Sequence, residues 1–465
     1  MPSVSESLAR FAADLHPADL PAPVVARVKR HLLDLLGVAL AAAGEPFAAR
    51  AREAVAALAG ATGTATVIGA ATRLPPAWAA LVNGVLAHGL DFDDTHEEAV
   101  THVSCSVAPT MLAAAECHGG DGAAALTALA LGMESAVRIG LVARGAFHDR
   151  GFHPTGVCGA YAASLVAGRL AGLDAARLAH ALGLAGSMAA GTMEFLTDGS
   201  WAKRVHAGWA AHAGVTATAL AAAGFSGPRA TLEGRFGLYR SHLGAGEWDV
   251  DGVTRDLGRR WHLLDIALKP YPCCHMTHAF IDAAAALRGG RGGSPAPLVA
   301  DDLEAIECHI HPREMPVVCE PVAHKQTPQT DYDAKFSLPY TVASMFVRGH
   351  VDLDDFTPAA IADRAVLGLA RRVTCLPDPA ADYPRCFPGR LRVRLRDGRV
   401  FEHDEPVNRG SFLRPLGDAD VGDKFRRNAA RVLAPAQVDA VADAVERLDR
   451  AADLSALAAA LRVDE

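Results

Sequence analysis

The chain has 465 residues, of which half are hydrophobic and only 6% are aromatic, and alanine is the dominant residue type. This length suggests two or three domains, and an alanine-rich, aromatic-poor composition favours closely packed helices over a sheet-rich fold. The formal net charge of -8 argues against nucleic acid as the main partner, and no Lys/Arg-rich run contradicts this.

The first residues lack the basic region and the apolar core of a signal peptide, and no uninterrupted apolar run reaches about 18 residues. We therefore expect a cytoplasmic protein without a membrane partner. The nine cysteines, an odd number, favour reduced thiols over a disulfide framework. The adjacent pair Cys273 and Cys274 has a poor spacing for a structural zinc site.

Helical patterns dominate both ends of the chain. Apolar residues from Ala22 to Ala43 recur at helical spacing behind two prolines, which favour a helix start. Alanine-rich helical patterns continue to about Gly224. They return at residues 420–433, 435–448 and 454–461.

The intervening segment has a mixed pattern. Apolar and polar residues alternate at 306–310, which predicts a half-buried strand, and two alternating runs around Arg396-Asp397-Gly398 predict a hairpin. Helical patterns lie near residues 338–347 and 358–373. The glycine-rich stretch 288–295 is predicted to be a mobile loop.

These patterns predict a mainly α protein with a large all-helical domain built from both chain ends, residues 1–266 and 406–465. A smaller α+β domain, residues 267–405, is predicted to be inserted between them. Junctions of this kind are places where ligand pockets often form.

The densest polar cluster runs from His88 to His102, between two alanine-rich apolar segments. If this stretch were helical, Asp91, Thr95 and His102 would share one face, while Asp93 and Glu97 would point the other way. The first face would be suited to a pocket and the second to solvent. The alternative interpretation is a solvated acidic segment.

Two further clusters contain potential catalytic residues. His153 is predicted to lie beside a helix N-terminus with Pro154 in the first turn, where backbone N–H groups favour a carboxylate or phosphate, although such residues are often structural. Lys203 and His206 lie one helical turn apart. Lys203 could bind a carboxylate or stabilise an enolate oxygen, or it could extend along the surface into solvent.

The predicted domain junction carries the sequence Lys269-Pro-Tyr-Pro-Cys-Cys-His275-Met-Thr-His278. Two histidines three residues apart suit metal ligation, but without a placed carboxylate they are weak evidence for zinc. Further along, Tyr340 could bind a ligand by a hydrogen bond or belong to the core.

Five motifs occur in the order seen in the MmgE/PrpD family, which includes 2-methylcitrate dehydratase, cis-aconitate decarboxylase and iminodisuccinate epimerase. They are Asp91-Phe-Asp-Asp-Thr95 with Thr101-His102, Phe152-His-Pro-Thr-Gly156, Lys203-Arg-Val-His206-Ala-Gly208, Lys269-Pro-Tyr-Pro272 with Thr277-His278, and Lys335-Phe-Ser-Leu-Pro-Tyr340. The resemblance covers nearly the whole chain. Each motif is modest, but five in order are specific.

The resemblance implies a helical domain with a smaller α+β lid domain, a homodimer, and chemistry on small di- or tricarboxylates in a cleft between the domains, without a metal or another cofactor. Carried over motif by motif, it gives catalytic roles to Asp91, His102, His153 and Lys203. It gives substrate-binding roles to Thr95, Cys274, His275, His278 and Tyr340, with the roles of the two histidines near Cys274 left open.

The chemistry implied is control of charge on a carbon next to a carboxylate. Removing a proton there creates an aci-carboxylate dianion, so an enzyme without a metal needs fixed cations and a base near the C–H bond. Lys203 is predicted to be the cation, and His102 and His153 the acid/base pair. The expected reaction is loss of water from a 2-hydroxy tricarboxylate, as in 2-methylcitrate dehydratase. The alternatives are decarboxylation of a cis-aconitate-like substrate and epimerisation of a dicarboxylate.

Two other classes of protein remain open at this point. Asp93-Asp-Thr-His-Glu97 resembles the aspartate-rich magnesium motif of isoprenoid cyclases, although no second metal motif follows and the aromatic content is low. A non-catalytic carboxylate-binding protein would bind citrate-like ligands without turnover.

Overall fold

The computed structural model describes residues 2–60, 62–291 and 296–463. The chain divides into two compact units. The first comprises Met1–Met193, Ala202–Leu268 and Gly417–Glu465, and the second comprises Glu194–Trp201 and Lys269–Leu416. Part of the predicted glycine-rich loop, residues 292–295, lies outside the described residues.

The division differs in detail from the predicted domain boundaries. Residues 406–416 belong to the second unit, because the Asn408 amide donates to His275 Nε2 at 2.7 Å and the backbone N–H of Arg409 donates to the Asp282 carboxylate at 2.7 Å. The short segment 194–201 also belongs to the second unit. The sequence prediction had placed both segments in the helical domain.

The protein is mainly α-helical, as predicted. Its helices, in chain order, are α1 (Val4–Asp14), α2 (Ala22–Ala43), α3 (Pro46–Ala59), α4 (Pro76–Gly89), α5 (Ser104–His118), α6 (Gly122–Ala143), α7 (Ala146–Asp149), α8 (Pro154–Leu170), α9 (Ala175–Gly186), α10 (Phe195–Asp198), α11 (Ala202–Ala222), α12 (Leu238–Leu243), α13 (His278–Arg288), α14 (Met315–Val318), α15 (Val322–Gln326), α16 (Asp331–Lys335), α17 (Leu338–Arg348), α18 (Pro358–Ile361), α19 (Arg364–Ala370), α20 (Asp418–Ala429), α21 (Pro435–Glu446) and α22 (Ser455–Ala460).

Within the described residues, two small sheets accompany the helices. The strands are β1 (Ala65–Thr66), β2 (Arg73–Leu74), β3 (Leu303–Ile310), β4 (Val373–Pro377), β5 (Gly389–Leu395) and β6 (Val400–Glu405). In the second unit the order is β4-β3-β5-β6, with β3 and β4 parallel and the other pairs antiparallel. Strands β1 and β2 form an antiparallel pair in the first unit, so the prediction that this unit is all-helical is wrong at that point.

Small residues bring three helices of the first unit close together. A Cβ atom on Gly84 of α4 would lie 2.5 Å from the Cα atom of Gly208 in α11, and one on Gly214 of α11 would lie 2.4 Å from the Cβ atom of Ala163 in α8. Residues without bulky side chains are therefore required where α11 crosses α4 and α8. This packing fixes the end of α4 and the beginnings of α8 and α11 relative to one another.

The two ends of the chain meet in the first unit where α20 packs against α2. The buried Lys424 of α20 forms an ion pair with Asp34 of α2 at 2.8 Å, and it also donates to the backbone carbonyl of Phe92 at 2.9 Å. Burial raises the pKa of Asp34, although the charge of Lys424 opposes the shift. Lys424 thereby connects the C-terminal helices to the loop that follows α4.

Helix α6 is long and apolar enough to cross a membrane by length and composition, and 89% of its apolar window is buried within the protein. The same helix carries the buried pair Glu134 and Arg138, in which Arg138 donates to the Glu134 carboxylate at 2.6 Å. These features are typical of a core helix.

Candidate active site

Polar side chains converge where the closely packed helices α4, α8 and α11 meet. His88 lies in the last turn of α4, His153 is the N-cap residue of α8, and Lys203 and His206 lie in the first turns of α11. Arg204 of α11 donates to the Gly89 carbonyl at 2.8 Å, which ties the start of α11 to the end of α4. The helix ends thus hold these side chains around the loop that joins α4 to α5.

That loop is not helical, so the predicted helical geometry of the stretch from 88 to 102 is wrong. Asp91 and Val100 have positive φ angles of 53° and 50°. Thr95 pairs with the backbone of Ala267, donating at 3.0 Å and accepting at 2.8 Å. A chain that is held by such a bridge and turns back at two left-handed residues cannot follow an α-helix.

The loop nevertheless brings together the three residues that were assigned to one face. His102 Nε2 lies 3.8 Å from Asp91 Oδ1, and His102 Nδ1 lies 3.5 Å from Thr95 Oγ1. The opposite assignment does not hold, because Asp93 and Glu97 are buried rather than directed to solvent. Asp94 is also buried, and its carboxylate accepts the backbone N–H of Ser104 at the start of α5 at 2.9 Å.

Lys203 is a buried cation at the centre of the cluster. Its ammonium group donates to the Asp91 carboxylate, and Nζ lies 3.4 Å from His102 Nε2. The interpretation of Lys203 as a solvated surface lysine is therefore wrong, since its side chain is only 4% exposed. A buried ammonium that is held by a carboxylate is a fixed positive charge whose field is little screened by water.

The Asp93 carboxylate accepts hydrogen bonds from two imidazoles. Its Oδ2 atom lies 2.9 Å from His88 Nδ1 and 3.2 Å from His102 Nδ1. Burial favours the neutral acid, but the positive potential of His102 and His88 and their hydrogen bonds outweigh it and hold the pKa of Asp93 well below its usual range. An ionised carboxylate accepts hydrogen bonds only, so Nδ1 of each ring carries the proton and Nε2 of His102 is directed to Lys203.

A buried thiol lies next to this carboxylate. Burial, together with the charges of Asp93 and Asp94, raises the pKa of Cys105 well above its usual value. Cys105 is therefore a protonated, inert thiol at neutral pH rather than a nucleophile.

A second pair of imidazoles completes the cluster. His153 Nδ1 lies 3.0 Å from His206 Nδ1, and the His153 ring is stacked on the His88 ring with centroids 5.4 Å apart. Burial and the charge of Lys203 lower the pKa of His153 well below its usual value, and burial and His88 lower that of His206 to about 4. Both rings are therefore neutral at neutral pH, and one of the two Nδ1 atoms donates to the other.

Some of these side chains have the geometry to ligate a metal ion. In each of three groups, the potential ligand atoms lie within 4.8 Å of one another. The groups are His88 with His102 and His153, His88 with Asp93 and Cys105, and Asp91 with Asp93 and His102. The aspartate-rich magnesium interpretation fits poorly, because Asp93 and Asp94 are buried and their oxygens accept from histidine and serine. Magnesium sites in proteins usually retain several waters.

The remaining predicted residues lie in the second unit. His278 Nε2 donates to the Cys273 carbonyl at 3.2 Å, and the backbone N–H of Cys274 donates to the Lys335 carbonyl at 2.9 Å. Tyr340 is buried, and its hydroxyl donates to the Asp355 carbonyl at 2.5 Å. The binding roles of Cys274, His275, His278 and Tyr340 therefore stay predictions.

No catalytic or binding role was predicted from the sequence for three members of the cluster in the first unit, namely His88, Asp93 and His206. His88 lies in the same polar stretch as Asp91, and His206 lies in the same motif as Lys203, but spacing gave no reason to choose them. Asp93 was assigned away from the pocket by the helical geometry. The signal that could have found it is its position between two histidines, at i-5 and i+9.

Two family models match the chain. The MmgE/PrpD N-terminal domain matches residues 6–251, and the MmgE/PrpD C-terminal domain matches residues 271–450. Together they cover both units.

Curated relatives match over nearly their full length. The chain is 29% identical to the cis-aconitate decarboxylase-like protein oryM of Aspergillus oryzae, with 98% of this chain and 97% of the relative covered. It is 28% identical to the cis-aconitate decarboxylase of Mus musculus (99% and 93% covered) and 29% identical to that of Homo sapiens (99% and 95% covered). The extent of both family models and the order of the five motifs lead to one conclusion: the chain belongs to the MmgE/PrpD family, a family of enzymes that includes lyases.

Proposed function

We propose that the protein is a lyase that decarboxylates a small unsaturated tricarboxylate of the cis-aconitate type. The observation that supports this most directly is the buried Lys203 ammonium between the Asp91 carboxylate and Nε2 of His102. The names of the relatives favour decarboxylation over the dehydration of a 2-methylcitrate-like substrate that the motifs alone suggested.

Decarboxylation requires a cation and an acid in one place. When CO2 leaves the CH2 group of such a substrate, the electron pair moves through the double bond to a carbon that carries another carboxylate. Negative charge develops on that aci-carboxylate, where the fixed charge of Lys203 would stabilise it. The same carbon must then receive a proton from a positioned acid.

His102 and His153 are the proposed acid/base residues. The Asp93 carboxylate at Nδ1 fixes the orientation of the His102 ring and stabilises positive charge on it, as expected for one member of an acid/base pair. Asp91 would hold Lys203 in place, and Thr95 would bind the substrate by a hydrogen bond. This arrangement also suits dehydration and epimerisation, which are therefore outcomes to be distinguished by experiment.

The test is incubation with cis-aconitate, 2-methylcitrate, citrate and dicarboxylates in deuterium oxide, read by proton NMR. We expect cis-aconitate to lose CO2 and the product to carry one deuterium on the carbon next to a carboxylate. Conversion of 2-methylcitrate alone would instead assign dehydration. Binding without conversion or exchange on any compound would mean a non-catalytic carboxylate-binding protein.

Lys203→Ala should lower kcat by at least about 100-fold, since it removes the charge that stabilises the transition state. Lys29→Ala is the matched control. Lys29 forms an ion pair with Asp449, and within the described residues neither side chain contacts a residue of the cluster. Near-normal turnover in Lys203→Ala would contradict the assignment. Activity that survives EDTA would separate this proposal from magnesium-dependent chemistry.

The homodimer and the cytoplasmic location also remain proposals. Light scattering of the purified protein tests the first, and a fluorescent fusion tests the second.

A further inference from the structure

His153 and His206 form a pair that leads from the interior of the cluster toward solvent. His153 is only 2% exposed, whereas His206 is partly exposed on α11, between the exposed residues Val205 and Trp209. Their Nδ1 atoms are 3.0 Å apart. A neutral imidazole has one N–H and one lone pair, so a single proton lies between the two rings.

The backbone around the pair limits its movement. A Cβ atom on Gly191 would lie 3.2 Å from His206 Nδ1, and the Gly191 carbonyl accepts the backbone N–H of His153 at 2.9 Å. A Cβ atom on Gly156 of α8 would lie 3.2 Å from the His206 Cβ atom. Residues without side chains at 156 and 191 therefore leave the space in which the two rings meet.

Decarboxylation of a cis-aconitate-type substrate consumes one proton in every turnover. CO2 leaves as a neutral molecule, and the carbon that received its electrons takes a proton that must come from water. A buried acid that gives up this proton needs a route by which it is supplied again.

We propose that His206 delivers solvent protons to His153, and that His153 protonates the substrate carbon. This inference rests on the proposed lyase function. It makes His206 a proton-transfer residue that acts through His153 and does not itself touch the substrate.

The proton balance of the step is complete. A solvent proton binds Nε2 of His206, the shared proton moves from His206 Nδ1 to His153 Nδ1, and Nε2 of His153 gives its proton to carbon. The electron pair of the breaking C–C bond forms the new double bond, and the pair of the old double bond binds the proton. When the product leaves, His153 Nε2 takes up a proton from water that enters the site and His206 Nε2 gives one back to solvent. The shared proton then returns from His153 Nδ1 to His206 Nδ1, which restores the starting state.

The charges that surround the pair fit a neutral relay. His153 faces Lys203 from α11, His88 from α4, His102 from the loop and His148 from α7, and His206 faces Lys203 and His88. Burial is the largest cause of the lowered pKa of both imidazoles, and the charges of Lys203 and His88 lower both pKa values further. A bound polycarboxylate brings negative charge, which favours the proton transfer toward His153.

The test compares His206→Ala with His212→Ala. His212 lies on the same helix, and its Nδ1 atom donates to the Ala77 carbonyl at 3.1 Å, so the control removes a half-buried histidine of the same helix away from the cluster. With cis-aconitate as substrate, His206→Ala should lower kcat by at least about tenfold with little change in KM, because proton supply rather than binding is affected. Added imidazole should restore kcat in a saturable manner, and His212→Ala should show neither effect.

Two results would overturn the inference: wild-type kcat in His206→Ala, or a loss in a folded variant that imidazole does not restore. If His206→Ala does not fold, His206→Asn keeps a hydrogen bond to His153 but cannot relay a proton, so it should show the same loss of kcat. Failure of the wild-type protein to turn over any carboxylate contradicts the proposed function itself. Wild-type turnover together with an unaffected His206→Ala contradicts the relay alone.

Discussion

Replacement of Asp93 by asparagine tests whether one carboxylate orients both imidazoles. Asp93 accepts from His88 at 2.9 Å and from His102 at 3.2 Å, so the substitution keeps the shape of the side chain and removes its charge. Hydrogen bonds to charged groups contribute roughly 1.5–3 kcal/mol and those between neutral groups roughly 0.5–1.5 kcal/mol. The loss over two bonds is therefore about 2–3 kcal/mol.

This loss should appear mainly in catalysis. If it is carried into the transition state, kcat falls by roughly 30- to 150-fold, since about 1.4 kcal/mol corresponds to a factor of ten. The free energy of unfolding should change less, because a buried neutral amide costs less to desolvate than a carboxylate. The branch of the pH profile that depends on a protonated imidazole should move to lower pH, since the neutral amide no longer stabilises positive charge.

The assay is kcat for cis-aconitate across pH, with urea unfolding of the same samples. Asp94→Asn is the matched control, because Asp94 is equally buried but its carboxylate accepts from His31 and Ser104 rather than from His88 and His102. It should reduce stability without changing the pH profile. An unchanged kcat in Asp93→Asn, or an equal loss of kcat in the folded Asp94→Asn variant, would refute the reasoning.

Three further predictions concern the framework around the site. Gly84→Ala should lower the free energy of unfolding by about 1–3 kcal/mol in urea titrations, because its Cβ atom would meet the backbone of α11. A Cβ atom on Gly368 has nothing within 4 Å, so Gly368→Ala should raise the free energy of unfolding by up to about 1 kcal/mol. Equal effects of the two substitutions would contradict the packing argument. Lys424→Met should lower the free energy of unfolding by about 3–5 kcal/mol because it leaves Asp34 buried without the lysine ammonium, and by less at pH 5 than at pH 8 since burial favours protonation of Asp34. Arg426 is exposed on the same helix, so Arg426→Met should lower it by less than about 1 kcal/mol. Similar losses for both variants would argue against a buried charge pair. Burial and the charges of His262 and Arg260 lower the pKa of His96 to about 3, so below about pH 6.5 the unfolded chain binds a proton at His96 that the folded chain does not. Acidification from pH 7 to pH 5 should therefore lower the free energy of unfolding of the wild type by about 2 kcal/mol more than that of His96→Gln. Parallel curves of unfolding free energy against pH would exclude this contribution.

Local patterns in the sequence were sufficient for the regular elements. Helix α2 begins and ends at the predicted residues, because prolines fix its start and one apolar face fixes its length. The predicted hairpin is formed by β5 and β6. The predicted helical pattern at 358–373 is confirmed only in part, because it is divided into α18 and α19. The Asp363 carboxylate accepts the Ala365 N–H at 2.8 Å and starts α19 anew, and Val373 belongs to β4.

The candidate site could be predicted only in part. Motifs in family order identified Asp91, His102, His153 and Lys203, which the structure places together in the first unit. The positive φ angles of Asp91 and Val100 leave no periodic signal, so the burial of Asp93 could not be deduced from spacing. The pairing of His153 with His206 depends on how closely α8 and α11 approach, which is a property of packing between distant segments.

The contact between Lys424 and the Phe92 carbonyl has a consequence for the order of events during synthesis. Residues 91–102 leave the ribosome more than 300 residues before Lys424. The hydrogen bond from Lys424 to the Phe92 carbonyl can therefore form only after most of the chain has been synthesised. Until α20 has been synthesised, Asp34 lacks the Lys424 ammonium and the Phe92 carbonyl lacks its donor. A chain that stalls before residue 417 would therefore contain every predicted catalytic residue and still lack the lysine that binds the loop between α4 and α5.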